Sequence, residues 1–111
     1  MAGAAILVLT QMPDRASARA LARALVEARL AACVSVGAPG ESLYHWRGAI
    51  ETAEEVMVTI KTAAARYPEL EAAILARHPY ELPEIVAVPL TDGFAPYLAW
   101  IADETSVPAA C

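Results

Sequence analysis

The stretch Ala32–Thr62, ACVSVGAPGESLYHWRGAIETAEEVMVTIKT, decides the fold. Apolar and polar residues alternate over Ala32–Val36 and pause at Gly37-Ala38-Pro39-Gly40. Alternation resumes over Ser42–Trp46, where Leu43 and His45 point opposite to Tyr44 and Trp46. Together these read as one long, bent strand. Arg47-Gly48 makes a turn. Glu55–Thr62 then alternates again, with Val56, Val58 and Ile60 on one face and Met57, Thr59 and Lys61 on the other. The two strands form a hairpin.

Working outward, Ala4–Thr10 (AAILVLT) is a short apolar run rich in branched residues, the pattern of a central strand. Asp14 offers a side-chain oxygen to the free N–H groups of a helix running from about Arg15 to Leu30. Leu21, Ala22, Leu25 and Val26 form its apolar stripe, and Arg15, Arg19, Arg23 and Glu27 its solvent face. On the other side, Pro68 suits the first turn of a second helix carrying Leu70, Ala73, Ile74 and Arg77, which His78-Pro79 ends. Ile85–Leu90 gives a fourth strand with Pro89 at an edge or a bulge, and a closing helix runs from about Pro96 to Asp103. The order β-α-β-β-α-β plus one helix is that of an α+β, ferredoxin-like split βαβ sandwich, with two helices on one face of a four-stranded sheet and the other face bare. One domain over 1–111 is expected, its core about 4–103 and a flexible tail over 104–111, with Cys111 frayed at its end.

Composition fits one compact domain: 111 residues, 58% hydrophobic, only 19% charged. Eight Lys+Arg against thirteen Asp+Glu leave a formal charge of −5, which repels phosphate backbones and anionic lipid, so nucleic acid and membrane are set aside as partners. No run approaches the ~18 apolar residues of a membrane span, and no basic region precedes a cleavable apolar segment. A cytoplasmic protein is expected. Cys33 and Cys111 make no disulfide framework, and a buried, inert thiol is the simpler reading of Cys33. So apolar a chain leaves more greasy surface than one small core hides, and a long hairpin exposes unpaired strand edges. A closed oligomer, three edges protecting one another, follows as a hypothesis.

The densest polar and aromatic cluster is His78-Pro79-Tyr80-Glu81-Leu82-Pro83-Glu84, stiffened by two prolines. It reads equally as a binding loop or as a helix cap with Tyr80 packed on the sheet. Tyr44-His45-Trp46-Arg47 supplies interface area more readily than ligand stacking. Lys61, the one lysine, reads as an ion-pair partner of Glu84 or as the holder of an anionic ligand. Glu51, Glu54 and Glu55 read as a solvated cluster. No Ser-His-Asp order, glycine-rich phosphate loop or HExxH helix is present, so a non-enzyme is expected. The alternative from another class is a small acid/base enzyme in which His78 moves protons while Lys61 steadies an anionic metabolite.

Leu25-Val26-Glu27 with Leu30-Ala31-Ala32-Cys33-Val34, Ser42-Leu43-Tyr44, Trp46-Arg47-Gly48, Ile60-Lys61-Thr62, His78-Pro79-Tyr80-Glu81 with Pro83-Glu84-Ile85, and Tyr97-Leu98-Ala99-Trp100 stand in one order. In this set the chain resembles the CutA divalent-cation tolerance family from about Ile6 to Ile101. The resemblance implies a ferredoxin-like homotrimer, similar in subunit shape to PII signalling proteins, tied to the response to copper and other divalent metal ions. It implies a trimeric binding or regulatory role, with Cys33, Tyr44, Trp46, Lys61, Tyr80 and Glu84 walling an inter-subunit cleft for a metal ion or small anionic ligand. Copper ligands in some members are a cysteine ending the first strand and two consecutive histidines before the Pro-Tyr pair. Thr10, Arg77 and His78 stand there in this chain, leaving His78 as the one candidate ligand for Cu(II) or another divalent cation.

Overall fold

Residues 4–106 are described by the structure, a computed structural model. The chain runs through β1 (Ala5–Met12), α1 (Arg15–Glu27), β2 (Cys33–Trp46), β3 (Ala49–Ala63), a 3-10 turn (Ala64–Arg66), α2 (Tyr67–Arg77), β4 (Ile85–Pro89) and α3 (Ala95–Glu104). The strands pair antiparallel in the order β2-β3-β1-β4, the split βαβ arrangement that the sequence predicts.

Side-chain alternation places the core. Ile6, Val8 and Met12 of β1 and Val56, Val58 and Ile60 of β3 point to one face, where Leu21 and Leu25 of α1 and Leu70 and Ile74 of α2 close over them. Val26, placed on the apolar stripe by its spacing, is exposed instead. Asp14 caps α1 as expected, its Oδ1 accepting the Ser17 N–H at 2.7 Å. The helix stops at Glu27, earlier than the predicted Leu30. Arg29 turns left-handed (φ 58°), and the Leu30 and Arg29 N–H groups close back onto the Leu25 and Val26 carbonyls, both at 3.0 Å.

The hairpin is longer than predicted, because β3 begins at Ala49 and not at Glu55. β1 pairs only with Val56–Ala63, so Pro39–Trp46 and Ala49–Val56 run on as a two-stranded arm of about 25 Å. Arg47 (φ 51°) and Gly48 (φ 82°) turn its tip with the two left-handed residues of a type I′ loop. The arm does not fold back, and the molecule spans 50 × 31 × 23 Å.

Between Val36 and Pro39 the pairing of β2 with β3 slips by one residue. Before this bulge, Cys33 opposes Lys61 and Ser35 opposes Thr59; after it, Ser42, Tyr44 and Trp46 oppose Ala53, Glu51 and Ala49. All of these lie on the sheet face turned away from α1 and α2. Gly37 lets the strands approach closely at the bulge, where a Cβ would stand 3.2 Å from the Met57 carbonyl oxygen, tighter than ordinary contact.

Two expectations need correction. The second face is not bare: α3 lies against β1 and β3, and Ile101 buries there apart from the main core, with Ala5, whose side chain alternates away from Ile6. Nor does a tail begin at residue 104. The α3 helix includes Glu104, which receives Arg29 at 2.9 Å, and buried Thr105 donates its hydroxyl to the Ile101 carbonyl at 2.8 Å. Cys111 lies outside the described residues.

Candidate functional site

β3 runs past the end of β1, and the loop after α2 comes into the resulting notch. Between that loop and the arm lies a cleft of about 760 Å³. Gln11 of β1, the run Ser42–Trp46 of β2, Ala53 and Glu55 of β3, and Pro79–Leu82 with Glu84 line it. Its size suits a small organic ligand, and its walls combine aromatic faces with a few polar groups.

His78 sets the loop. It is the C-cap residue of α2, and its extended backbone (ψ 131°) ends the helix as the His-Pro pair predicts. Its ring reaches across to β1, where Nε2 lies 2.7 Å from the Gln11 carbonyl oxygen, while Nδ1 accepts the Tyr80 N–H at 3.3 Å. A carbonyl accepts only, so this pair of bonds calls for the tautomer with its proton on Nε2. The Tyr80 ring packs against the imidazole, centroids 4.7 Å apart. At the far end Arg47 pairs with Glu81 at 2.8 Å and lies over the Trp46 ring, 5.1 Å from its centroid, so the arm tip holds the loop.

Tyr80 carries the site's clearest electrostatic mark. Burial, and then the Glu55 carboxylate beside its hydroxyl, push the phenol up to about 12. The sequence pattern puts Glu55 in a solvated acidic cluster, whereas the structure places it half-buried in the cleft wall. Alternation had the signal, because Glu55 stands two residues before Met57 on the same face of β3.

Of the predicted cleft residues, Tyr44, Trp46, Tyr80 and Glu84 come together here. Cys33 and Lys61 do not. They oppose each other at the other end of the sheet, and six residues of β3 put Lys61 about 20 Å from Glu55. Lys61 makes no ion pair among the described residues, so the predicted bond to Glu84 is absent. Nor do His78 and Lys61 meet. His78 bonds at Gln11 while Lys61 opposes Leu7, about 13 Å apart along β1, which leaves the acid/base pair without a shared substrate position.

The residues at the family's copper positions do not fit a metal centre within the chain. Thr10 is fully buried on the core face, Arg77 is a cation on the surface, and His78 spends both ring nitrogens on backbone. Among the described residues no group of three or more His, Cys, Asp or Glu side chains is placed to hold a metal ion.

A family model described as "CutA1 divalent ion tolerance protein" matches residues 6–104. The divalent-cation tolerance protein CutA of Thermus thermophilus is 40% identical over 99 residues, covering 89% of this chain and 96% of that one. Mouse Protein CutA is 42% identical over 93 residues, 84% of this chain, which spans about half (52%) of the mouse protein. The crystal structure of CutA1 from the psychrotrophic bacterium Shewanella sp. SIB1 superposes with a TM-score of 0.90 at 42% identity, covering 98% of this chain and all of that one. With the family model spanning both helical layers and every strand, the chain belongs to the CutA1 divalent ion tolerance family.

Proposed function

We propose that this protein is a one-domain subunit of a cytoplasmic homotrimer that serves divalent-cation tolerance by binding a small ligand in the arm-and-loop cleft, without catalysing a reaction. The observation that carries the reading is the convergence of Tyr44, Trp46, Tyr80 and Glu84 in one cleft whose loop is held at both ends, by His78 on β1 and by Arg47 on the arm. Such pre-set geometry lowers the ordering cost of binding. The trimer is supported by the arm, which leaves one margin of Ala49–Glu55 unpaired and exposes Leu43 (64%) and Ile50 (69%) to solvent. The free thiol of Cys33 suits a reducing compartment. Tolerance on this reading does not run through tight copper coordination at His78.

Light scattering at micromolar concentration and calorimetric titration with Cu(II), Zn(II) and a metabolite panel test this reading. A three-chain mass, saturable heat with a metabolite and none with Cu(II) at His78 are expected. A one-chain mass, or no saturable heat with any compound, overturns it.

A further inference from the structure

We infer that the cleft selects organic cations: its ligand presents an amine or quaternary ammonium group to Tyr44, Tyr80 and Glu55. This deepens the binding role proposed above and rests on it. Three of the lining side chains are carboxylates, Glu55, Glu81 and Glu84, and none is a lysine or arginine. Lys61, the residue expected to hold an anion, stands at the other end of the sheet. With Glu81 paired to Arg47, an anionic ligand entering here meets the Glu55 and Glu84 carboxylates and no other cation of this protomer, a cost that low-dielectric walls enlarge.

The aromatic lining carries the second half of the argument. The face of an aromatic ring is electron-rich and attracts cations, and such rings with a nearby carboxylate are the usual recognition chemistry for alkylammonium groups. One ring here already holds a cation, because the Arg47 guanidinium lies 5.1 Å from the Trp46 centroid while pairing with Glu81. That pair neutralises Glu81 and occupies Trp46, leaving Glu55 and Glu84 without ion-pair partners among the described residues and the Tyr44 and Tyr80 rings in the wall. One side of Tyr80 is covered by His78, which fixes the plane of the ring. A metal cation is the poorer fit, since the carboxylates are not gathered into a coordinating group. An alkylammonium needs no such convergence, only an apolar wall, a ring face and a negative charge within a few ångströms.

Three probes of one shape separate charge from size: choline, its neutral isostere 3,3-dimethylbutan-1-ol, and the anion 3,3-dimethylbutanoate, each titrated calorimetrically into the full-length protein. Choline is expected to bind about tenfold more tightly than the alcohol, with the anion showing no saturable heat. Glu55→Gln is expected to weaken choline about fivefold and leave the alcohol unchanged, and Tyr80→Leu to weaken both. Circular dichroism of each variant confirms that it is folded. Equal affinity for choline and the alcohol, or tighter binding of the anion, overturns the cation selection while leaving the cleft as a binding site. Failure of all three probes overturns it as well, and the metabolite titration then decides the broader reading on its own.

Discussion

Two threonines in the core carry the sharpest quantitative expectation. Thr10 and Thr62 are both 0% exposed, and neither hydroxyl has a hydrogen-bond partner among the described residues. Thr10 stands between Val58 and Ile85 across its two neighbouring strands, and Thr62 opposes Ile6. Each hydroxyl gave up water on folding and gained nothing in return, a penalty of roughly 1–3 kcal/mol per group. Valine keeps the branched shape and the strand preference while removing the oxygen, so Thr10→Val and Thr62→Val should each stabilise the protein by about 1 kcal/mol. The two sites lie about 13 Å apart along β1, far enough for their effects to add in the double variant. Guanidinium denaturation at fixed protomer concentration reads this as a higher midpoint with an unchanged slope. Thr105 is the control. It is just as buried, but its hydroxyl donates to the Ile101 carbonyl, so Thr105→Val should cost about 1 kcal/mol. If Thr10→Val and Thr62→Val lower the midpoint as Thr105→Val does, those hydroxyls have partners and the described packing between sheet and helices is wrong.

Other outcomes follow from the arm, the loop and the cap. Tyr80 should ionise near pH 12 in the folded protein, seen as phenolate absorbance that disappears in Tyr80→Phe. Its proton is held more tightly than in the unfolded chain, so its contribution to stability is whole below pH 10 and lost as pH rises toward 12. Glu55→Gln should lower that value without restoring 10, because burial is the larger cause; a value unmoved by the substitution sinks the assignment. Asp14 has the opposite sign, since the Ser17 N–H holds its carboxyl below the usual 3.8. Its capping contribution should persist down to pH 4 and vanish below it, and Asp14→Ala should remove that acid limb from a stability profile. Glu81→Gln breaks a pair whose side chains are 69% and 71% exposed, so melting should barely move while amide exchange over residues 79–82 quickens; unchanged exchange denies the tether. Gly48→Ala, at φ 82°, should cost about 1 kcal/mol in thermal unfolding, and Gly40→Ala, where a Cβ meets only the Glu55 carbonyl oxygen at 3.9 Å, close to nothing.

Where burial writes on the sequence, the fold was legible. Val56, Val58 and Ile60 alternate with Met57, Thr59 and Lys61 because one face of β3 meets two helices, and that contrast set both the strand and its orientation. Ala49–Glu54 carries no such signal in its sequence, because neither face of the arm is buried against a core. The early stop of α1 was hidden for another reason: its left-handed closing residue is Arg29, not the glycine that marks such ends, and the pair with Glu104 supplies a use for that side chain. Half of the cleft was readable in the motifs around Tyr44 and Tyr80. The alternation puts Glu55 on the cleft side of β3, and counting along the same strand puts Lys61 of this protomer about two nanometres from it. The His78 ring could be placed only by the tertiary approach of the loop to Gln11, which local sequence does not encode.

The supernumerary residue between Val36 and Pro39 has a consequence for how this architecture diversifies. It works as a phase shifter, decoupling the two ends of one strand. Excising Ala38 would let Val36, Gly37 and Pro39 oppose Val58, Met57 and Val56 in unbroken alternation, so every rung on either side would keep its partner. Tyr44 and Trp46 would stay at the notch, opposite Glu51 and Ala49, and the strand would lose the local bend and added twist that a bulge gives it. A single codon deletion, with no substitution anywhere, would re-aim the arm and its aromatic surface relative to the loop while keeping the same side chains on that surface.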